Sequence, residues 1–371
     1  MILSCEKEEN LSSRLKQGQI EYKATPNSNS EITFGIASQK LTIDWGDGDV
    51  EIFTPDGEYQ EFYHTYYNRK PVTIKIETEK MTAFWGIDND KYYDWESLKE
   101  KTDELRFGNC PNLKTIECSF MGLTFFEIEK ADSLLALDCS TNNLTSLKLN
   151  ACPKLKSLFC MFNNLHSIDI IQCKDLQLLW CLSNRLVQLD LQENKLLYTL
   201  VCGQNRISNL NIEQHKLLKY LVCDYSPTIY AGDDYYGLMS SAGDFSFRCL
   251  IYPNELRSSS ATKDSLISIS KIIEDTEKYP PLTHLNLSGC SSLSVVCCDN
   301  NQLTEINIQD CTSMEYMSCN YNELTDTALN SIFENLPNAA NDVKINIKGN
   351  DGMYNCDKSI AENKGWKVIS D

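Results

Sequence analysis

The sequence lacks what most catalytic or membrane-spanning chains carry. It has no run of about 18 apolar residues, so no helix spans a bilayer. No GxSxG, P-loop or HExxH element occurs. The four histidines, His64, His166, His215 and His284, lie apart from any nucleophile motif. Two cysteines never stand at CxxC spacing, which argues against a tetrahedral zinc site. Basic residues are scarce, 34 Lys+Arg against 52 Asp+Glu, for a net charge of −18. Such an acidic surface repels phosphate backbones and excludes nucleic acid as a partner. The reading is a non-enzyme with no metal and no cofactor.

What the chain does have is cysteine, 17 in 371 residues, and the cysteines are periodic. Cys118, Cys139, Cys160, Cys181, Cys202 and Cys223 are each 21 residues apart, and Cys298 and Cys319 repeat the interval. Around this column the frame is Leu at −5, an aliphatic residue at −2, Asn at +3 and Leu or Ile at +5. In one repeat these are Leu155, Leu158, Asn163 and Leu165. The asparagine column reads Asn142, Asn163, Asn184, Asn205, Asn301 and Asn322. A second column follows in the other half of each repeat: Cys110, Ala131, Cys152, Cys173, Asn194, His215, Cys290 and Cys311.

A fixed period of 20–29 residues in an LxxLxLxxN frame signals a stacked solenoid. With cysteine replacing the third leucine, the pattern resembles the short bacterial IRREKO-type leucine-rich repeats, over about 106–226 and 282–324. One turn cannot bury its own apolar face, but a stack of turns can. The cysteines are read as a core column, since free cysteine behaves as a small hydrophobe. Stacked thiols point in parallel, which suits a disulfide poorly. The asparagines are read as a ladder that bonds the bend after each strand.

Residues 19–88 differ. Alternating runs such as QIEYKA, EITFGIAS and VTIKIETE read as short strands. IDWGDGDVE followed by YHTYY resembles a PKD-like domain, an immunoglobulin-type β-sandwich, through Trp45, Gly46, Asp47, Gly48, His64 and Tyr66. Arg69-Lys70-Pro71 departs from the family at the expected final hairpin. Asp44, Asp47 and Asp49 lack calcium-loop spacing, so a tight turn is expected there.

At the N-terminus, Ile2-Leu3-Ser4 precedes Cys5, and Glu6-Lys7-Glu8-Glu9 follows. This resembles the lipobox and acidic export signal of Bacteroidetes surface lipoproteins. The resemblance implies a lipid on Cys5, a polar tether to residue 18, and a place on the outer face of the outer membrane.

The domain reading is therefore tether 1–18, sandwich 19–88, solenoid 89–324 and cap. The solenoid carries an excursion at 227–281, because Cys223 and Cys298 stand 75 residues apart. The cap, 325–371, reads helix, strand, helix, strand. Positions beside each cysteine alternate outward. There Phe159, Met161, Phe162, Trp180, Leu182, Tyr220 and Tyr225 are the candidate ligand-binding residues of the concave face. Aromatics and Met are the composition of a protein-recognition hot spot. The chain is thus expected to be a monomeric, surface-anchored protein-binding module. The alternative is glycan binding on the same aromatics.

Overall fold

The computed structural model describes residues 15–26, 30–88, 103–213, 215–224, 281–339 and 343–371. The excursion up to 280, Cys5, the tether to residue 14 and Tyr225 lie outside them.

The first strands form two layers. β1 (Gln19–Ala24) places Ile20, Tyr22 and Ala24 inward by simple alternation. It lies between β6 (Val72–Glu79) and β8 (Asp103–Asn109), antiparallel to both. β3 (Lys40–Asp44) and β4 (Val50–Phe53) extend this sheet on one side, and β10 (Leu123–Lys130) on the other. The opposing layer is β7 (Ala83–Asp88), β2 (Ser30–Ala37) and β5 (Tyr59–Tyr66). Phe34, Trp45, Phe84 and Phe107 fill the space between. β5 and β6, neighbours in sequence, lie in different sheets, so the expected final hairpin does not form.

The boundary expected at 88/89 is not a break between separate bodies. β8 and β10 belong to the first sheet, and β7 pairs in parallel with β9 (Thr115–Glu117), the first solenoid strand. Both sheets of the sandwich run on into the repeat array. The sandwich therefore covers the first core layer of the stack, which would otherwise face water.

From β9 onward the chain is a mainly β leucine-rich repeat solenoid. Ten parallel strands, ending with Lys367–Ile369, continue the sheet begun by β5, β2 and β7. Each is only three residues long between bends. Leu155, Leu158 and Cys160 are fully buried, as are their equivalents along the array. Burying one leucine stabilises by about 1.5–3 kcal/mol, so stacking supplies what a lone turn cannot.

The bend after each strand requires a left-handed residue two positions past the inward cysteine. Phe120, Thr141, Phe162, Ser183, Gln204, Asn300 and Tyr321 all have φ between 50 and 58°. Only Gly adopts this region freely. In six of these seven turns the next residue is the ladder asparagine, which fixes the bend; Phe120 is followed by Met121.

The stack closes across the excursion. Strand Tyr220–Val222 pairs directly with Val295–Cys297, and Asn209–Asn211 with His284–Asn286. At the C-terminus, α1 (Asp326–Asn335) starts at Thr325, whose hydroxyl accepts the Ala328 N–H at 3.2 Å. Its Leu329, Ile332 and Phe333 are buried. A further turn carries Ile347 in the cysteine position, Gly349 at φ 72° and Asn350 in the ladder position. α2 (Ser359–Glu362) and the last strand follow.

Candidate binding face and the ladders behind it

Two ladders hold the outward face in register. In the first, each asparagine ties two turns together. The Nδ2 of Asn184 donates to the Cys160 carbonyl of the preceding turn at 2.9 Å and to its own Cys181 carbonyl at 3.0 Å. Its Oδ1 accepts the Leu165 N–H at 3.0 Å. Asn142, Asn163, Asn205, Asn301 and Asn322 repeat the arrangement, and Asn350 carries it into the cap. All seven are buried. The side-chain amide suits the site because it offers donors and an acceptor at once.

From Cys173 onward the second column is a donor column. The Cys173 thiol donates to the Leu149 carbonyl at 3.7 Å, and Cys311 to that of Leu287 at 3.1 Å. In the same place Asn194 donates through Nδ2 to Ile170 at 3.2 Å. His215 sets its ring nitrogens 2.8 and 3.1 Å from the carbonyls of Ile212 and Leu191. Cysteine, asparagine and histidine can replace one another here because each can donate to the turn before. The thiols are more than small hydrophobes.

The 15 cysteines among the described residues are free and buried. Burial pushes the thiols of Cys118, Cys139, Cys160 and Cys181 far above their ordinary range, and nearby negative groups add to it. Cys152 is pushed up to about 12 by burial and then by the Cys173 sulfur. A thiol without accessible thiolate is neither a nucleophile nor a metal ligand.

The outward residues do not form a row of exposed anchors. Phe162, Leu182 and Tyr220 are 5%, 3% and 6% exposed. With Val201, Val222, Val295 and Cys297 they make a second apolar cluster on the face of the sheet opposite the main core. Adjacent strands stand about 4.8 Å apart, so apolar side chains at one position on successive turns touch. Met161 and Trp180 are half-buried at the margin of this cluster, and Phe159 is half-buried beside Trp180. Phe159 and Trp180 meet edge to face, with centroids 5.5 Å apart. The expectation of seven outward anchors is thus corrected: three are buried, three are half-buried, and Tyr225 lies outside the described residues.

An acid pair that the sequence does not reveal sits on the same face. Asp224 and Asp299 occupy one position on adjacent turns across the excursion. The carboxylate of Asp224 accepts the Asp299 N–H at 2.5 Å. Asp299 accepts the Ser318 hydroxyl at 2.7 Å and the Asn320 N–H at 2.7 Å. Burial, then the charge of Asp299, raises Asp224 well above the ordinary carboxylate value, and burial raises Asp299.

On the opposite rim, Gln177, Leu196, Tyr198, Leu217, Lys219, Ser292, Ser294, Ser313 and Glu315 line a groove of about 570 Å³. Lys219 sits 5.2 Å over the Tyr220 ring, and its hydrogen bond to Tyr220 raises its pKa.

In the sandwich, the WGDG residues form a tight turn. The Asp44 carboxylate accepts the Gly46 N–H at 3.0 Å, and the Tyr66 hydroxyl donates to the Trp45 carbonyl at 2.7 Å. His64 stacks on Trp45 and bonds Asp47 at 2.7 Å. Burial raises the Asp47 pKa, but the bond to His64, the backbone N–H bonds and the charge on His64 together outweigh it and hold the carboxyl below its ordinary value. Asp47, Asp49 and His64 bring three potential ligand atoms within 4.8 Å, although Asp47 and Asp49 are exposed and the His64–Asp47 bond explains the contact.

Neither a known family signature nor a curated protein matches the chain. Among solved structures, similar chains include the functional domain of InlJ from Listeria monocytogenes, described as including a cysteine ladder. It shows 19% identity and a TM-score of 0.31, over 64% of this chain and 49% of that one. YopM from Yersinia enterocolitica WA-314 shows 18% identity and a TM-score of 0.31, over 69% and 51%. TLR13 in its complex with ssRNA13 shows 16% identity and a TM-score of 0.32, over 70% and 40%. The chain spans about half or less of the length of each.

Proposed function

We propose that this chain is a non-enzymatic recognition protein that holds a partner protein on the outward face of its parallel sheet. The observation that carries this is the second apolar cluster, with Met161 and Trp180 half-exposed along its margin and Phe159 beside Trp180. A sheet face that carries an apolar layer of its own offers a partner area to bury, and aromatic and Met side chains are the usual anchors. The high thiol pKa values support a binding role over nucleophilic chemistry. In this reading Cys5 carries the lipid, the tether spaces the protein from the outer membrane, and the sandwich caps the array as well as standing beneath it. A photo-cross-linking amino acid at Met161 of the full chain, in its source cells, tests this. One dominant protein adduct, absent with the same probe at exposed Glu305, supports the proposal. Equal adducts from both sites contradict it.

The rim groove favours a second reading, glycan binding. It sets the Tyr198 ring beside the hydroxyls of Ser292, Ser294 and Ser313 and the amide of Gln177. Phe159 and Trp180, meeting edge to face, suit a flat sugar-stacking platform less well. Competition by soluble glycans against the cross-linked partner separates the two readings.

A further inference from the structure

We infer that the rim groove takes an acidic saccharide, with the sugar carboxylate on the ammonium group of Lys219 and the sugar ring against Tyr198. This rests on the glycan reading of that groove and names the class of sugar.

Successive turns place one residue each along the groove. The Gln177 N–H donates to the Lys156 carbonyl at 2.8 Å, Tyr198 to Gln177 at 2.7 Å, Lys219 to Tyr198 at 2.9 Å, Ser294 to Lys219 at 3.0 Å and Glu315 to Ser294 at 2.9 Å. These residues stand in one row at the strand spacing of about 4.8 Å, including the step from Lys219 to Ser294. Their backbone groups are spent on one another. An extended polypeptide therefore finds no open strand edge here, and recognition falls to side chains. Those side chains suit a hydroxylated ligand: a ring, an amide, hydroxyls and one charge of each sign. On the outer wall, exposed Leu196 and Leu217 give way to Ser292 and Ser313 at the same position on the next two turns. The wall is thus apolar beside Tyr198 and Lys219, and hydroxylic beside Glu315.

Lys219 supplies the sign. It is half-buried, and the groups that act on its charge are the phenols of Tyr220 and Tyr198. No described carboxylate forms an ion pair with it. An ammonium group is a compact point charge, and its attraction for a carboxylate strengthens where protein displaces water. Tyr220 is buried and meets Tyr198 edge to face, with centroids 5.6 Å apart, which fixes the Tyr198 ring at the groove wall. Exposed Lys156 begins the row and Glu315 ends it, so the groove runs from positive to negative. Glu315 stands two strands from Lys219, about 10 Å away. It already accepts the Ser294 hydroxyl at 2.8 Å, and its remaining lone pairs can take sugar hydroxyls. The net charge of −18 opposes an anion at long range. At physiological salt, exposed charges beyond about 8 Å are screened, and contact within the groove decides.

The test is isothermal titration calorimetry on the full chain at about 0.15 M salt. The probes are trigalacturonic acid and its methyl ester, and sialyllactose and lactose. At least one acid should bind about tenfold or more tighter than its neutral counterpart, and which one does so tells a chain uronic acid from a terminal sialic acid. Lys219→Met should weaken that acid by about tenfold and the neutral sugar by less than about twofold. Lys219→Arg keeps the charge and should stay within about threefold of the parent, which separates lost charge from lost packing. Lys75→Met removes the same charge from an exposed position on β6 and should change binding less than about twofold. Tyr198→Ala should weaken acidic and neutral sugars alike. Equal binding of acid and neutral sugars, lost in Tyr198→Ala, overturns the acidic preference and keeps the glycan reading. Equal loss in Lys219→Met and Lys75→Met overturns the inference. Binding of a triglutamate peptide that Lys219→Met abolishes, with no sugar bound, gives the groove to an acidic polypeptide instead. Binding of no probe overturns the inference and the glycan reading together.

Discussion

Asn301 donates to the carbonyl of Cys223 at 3.1 Å, across 78 positions of sequence. It is the same bond that Asn184 makes to Cys160 across 24 positions. The Cys298 turn therefore stacks on the Cys223 turn as neighbouring turns do elsewhere in the array. This rung, with the pairing of Tyr220–Val222 and Val295–Cys297, carries the outward face across the insertion.

Removing one rung should be costly. Asn184→Ala leaves the Leu165 N–H and the Cys160 carbonyl without this partner, and about 1–3 kcal/mol of stability should be lost. Asn184→Asp should cost at least as much near neutral pH, because a carboxylate would face three carbonyl oxygens. Urea denaturation midpoints measure both. An unchanged midpoint for either variant contradicts the ladder.

The donor column makes a different prediction. Asn194→Cys should be tolerated, costing under about 1 kcal/mol, because cysteine fills the same place in other turns and can donate. Asn194→Leu should cost about 1–3 kcal/mol, since it leaves the Ile170 and Cys173 carbonyls without their donor. Thermal unfolding of the pair checks the order; leucine more stable than cysteine would return the column to simple apolar packing.

Native thiol labelling should be slow throughout. The described thiols are buried and free, so a thiol reagent should react fully only in denaturant. Rapid labelling of most column cysteines in the folded protein would contradict the core assignment.

Asp224 sets a pH dependence of unusual sign. Its folded-state pKa lies above the unfolded carboxylate value of about 3.9. The folded state thus binds the proton more tightly. That contribution is fully present below the unfolded pKa and is lost as pH rises through the raised folded value. Asp224→Asn should therefore gain stability relative to the parent as pH rises from 4 to 7, read from denaturation midpoints along the pH series. A constant difference between the two proteins across that range opposes the assignment.

Much of this was legible in the sequence. The column from Cys118 to Cys223 shows the period, and Asn163 with Leu165 shows the bend, because every turn repeats the same local solution. The face was less legible. Alternation places Tyr220, Val222 and Cys297 outward, but says nothing of outward residues on successive turns packing into a layer of their own. Asp224 and Asp299 become neighbours only because the stack closes over the 75 residues between Cys223 and Cys298. The pairing of β7 with β9 carries no local signature, as parallel edges meet through backbone groups alone. The left-handed residues were hidden too, since Phe162, Thr141 and Gln204 are not residues that announce such a bend.

The most direct measurement is the affinity of the Phe159→Ala/Trp180→Ala double variant for the partner recovered by cross-linking at Met161, taken together with its unfolding midpoint. Both side chains are half-buried and outside the main core, so the variant should stay cooperatively folded. Loss of two aromatic anchors should cost at least about 2 kcal/mol of binding each. A folded variant that no longer binds is the result predicted. Unchanged affinity, or loss of the cooperative unfolding transition itself, would contradict the outward face as the binding surface.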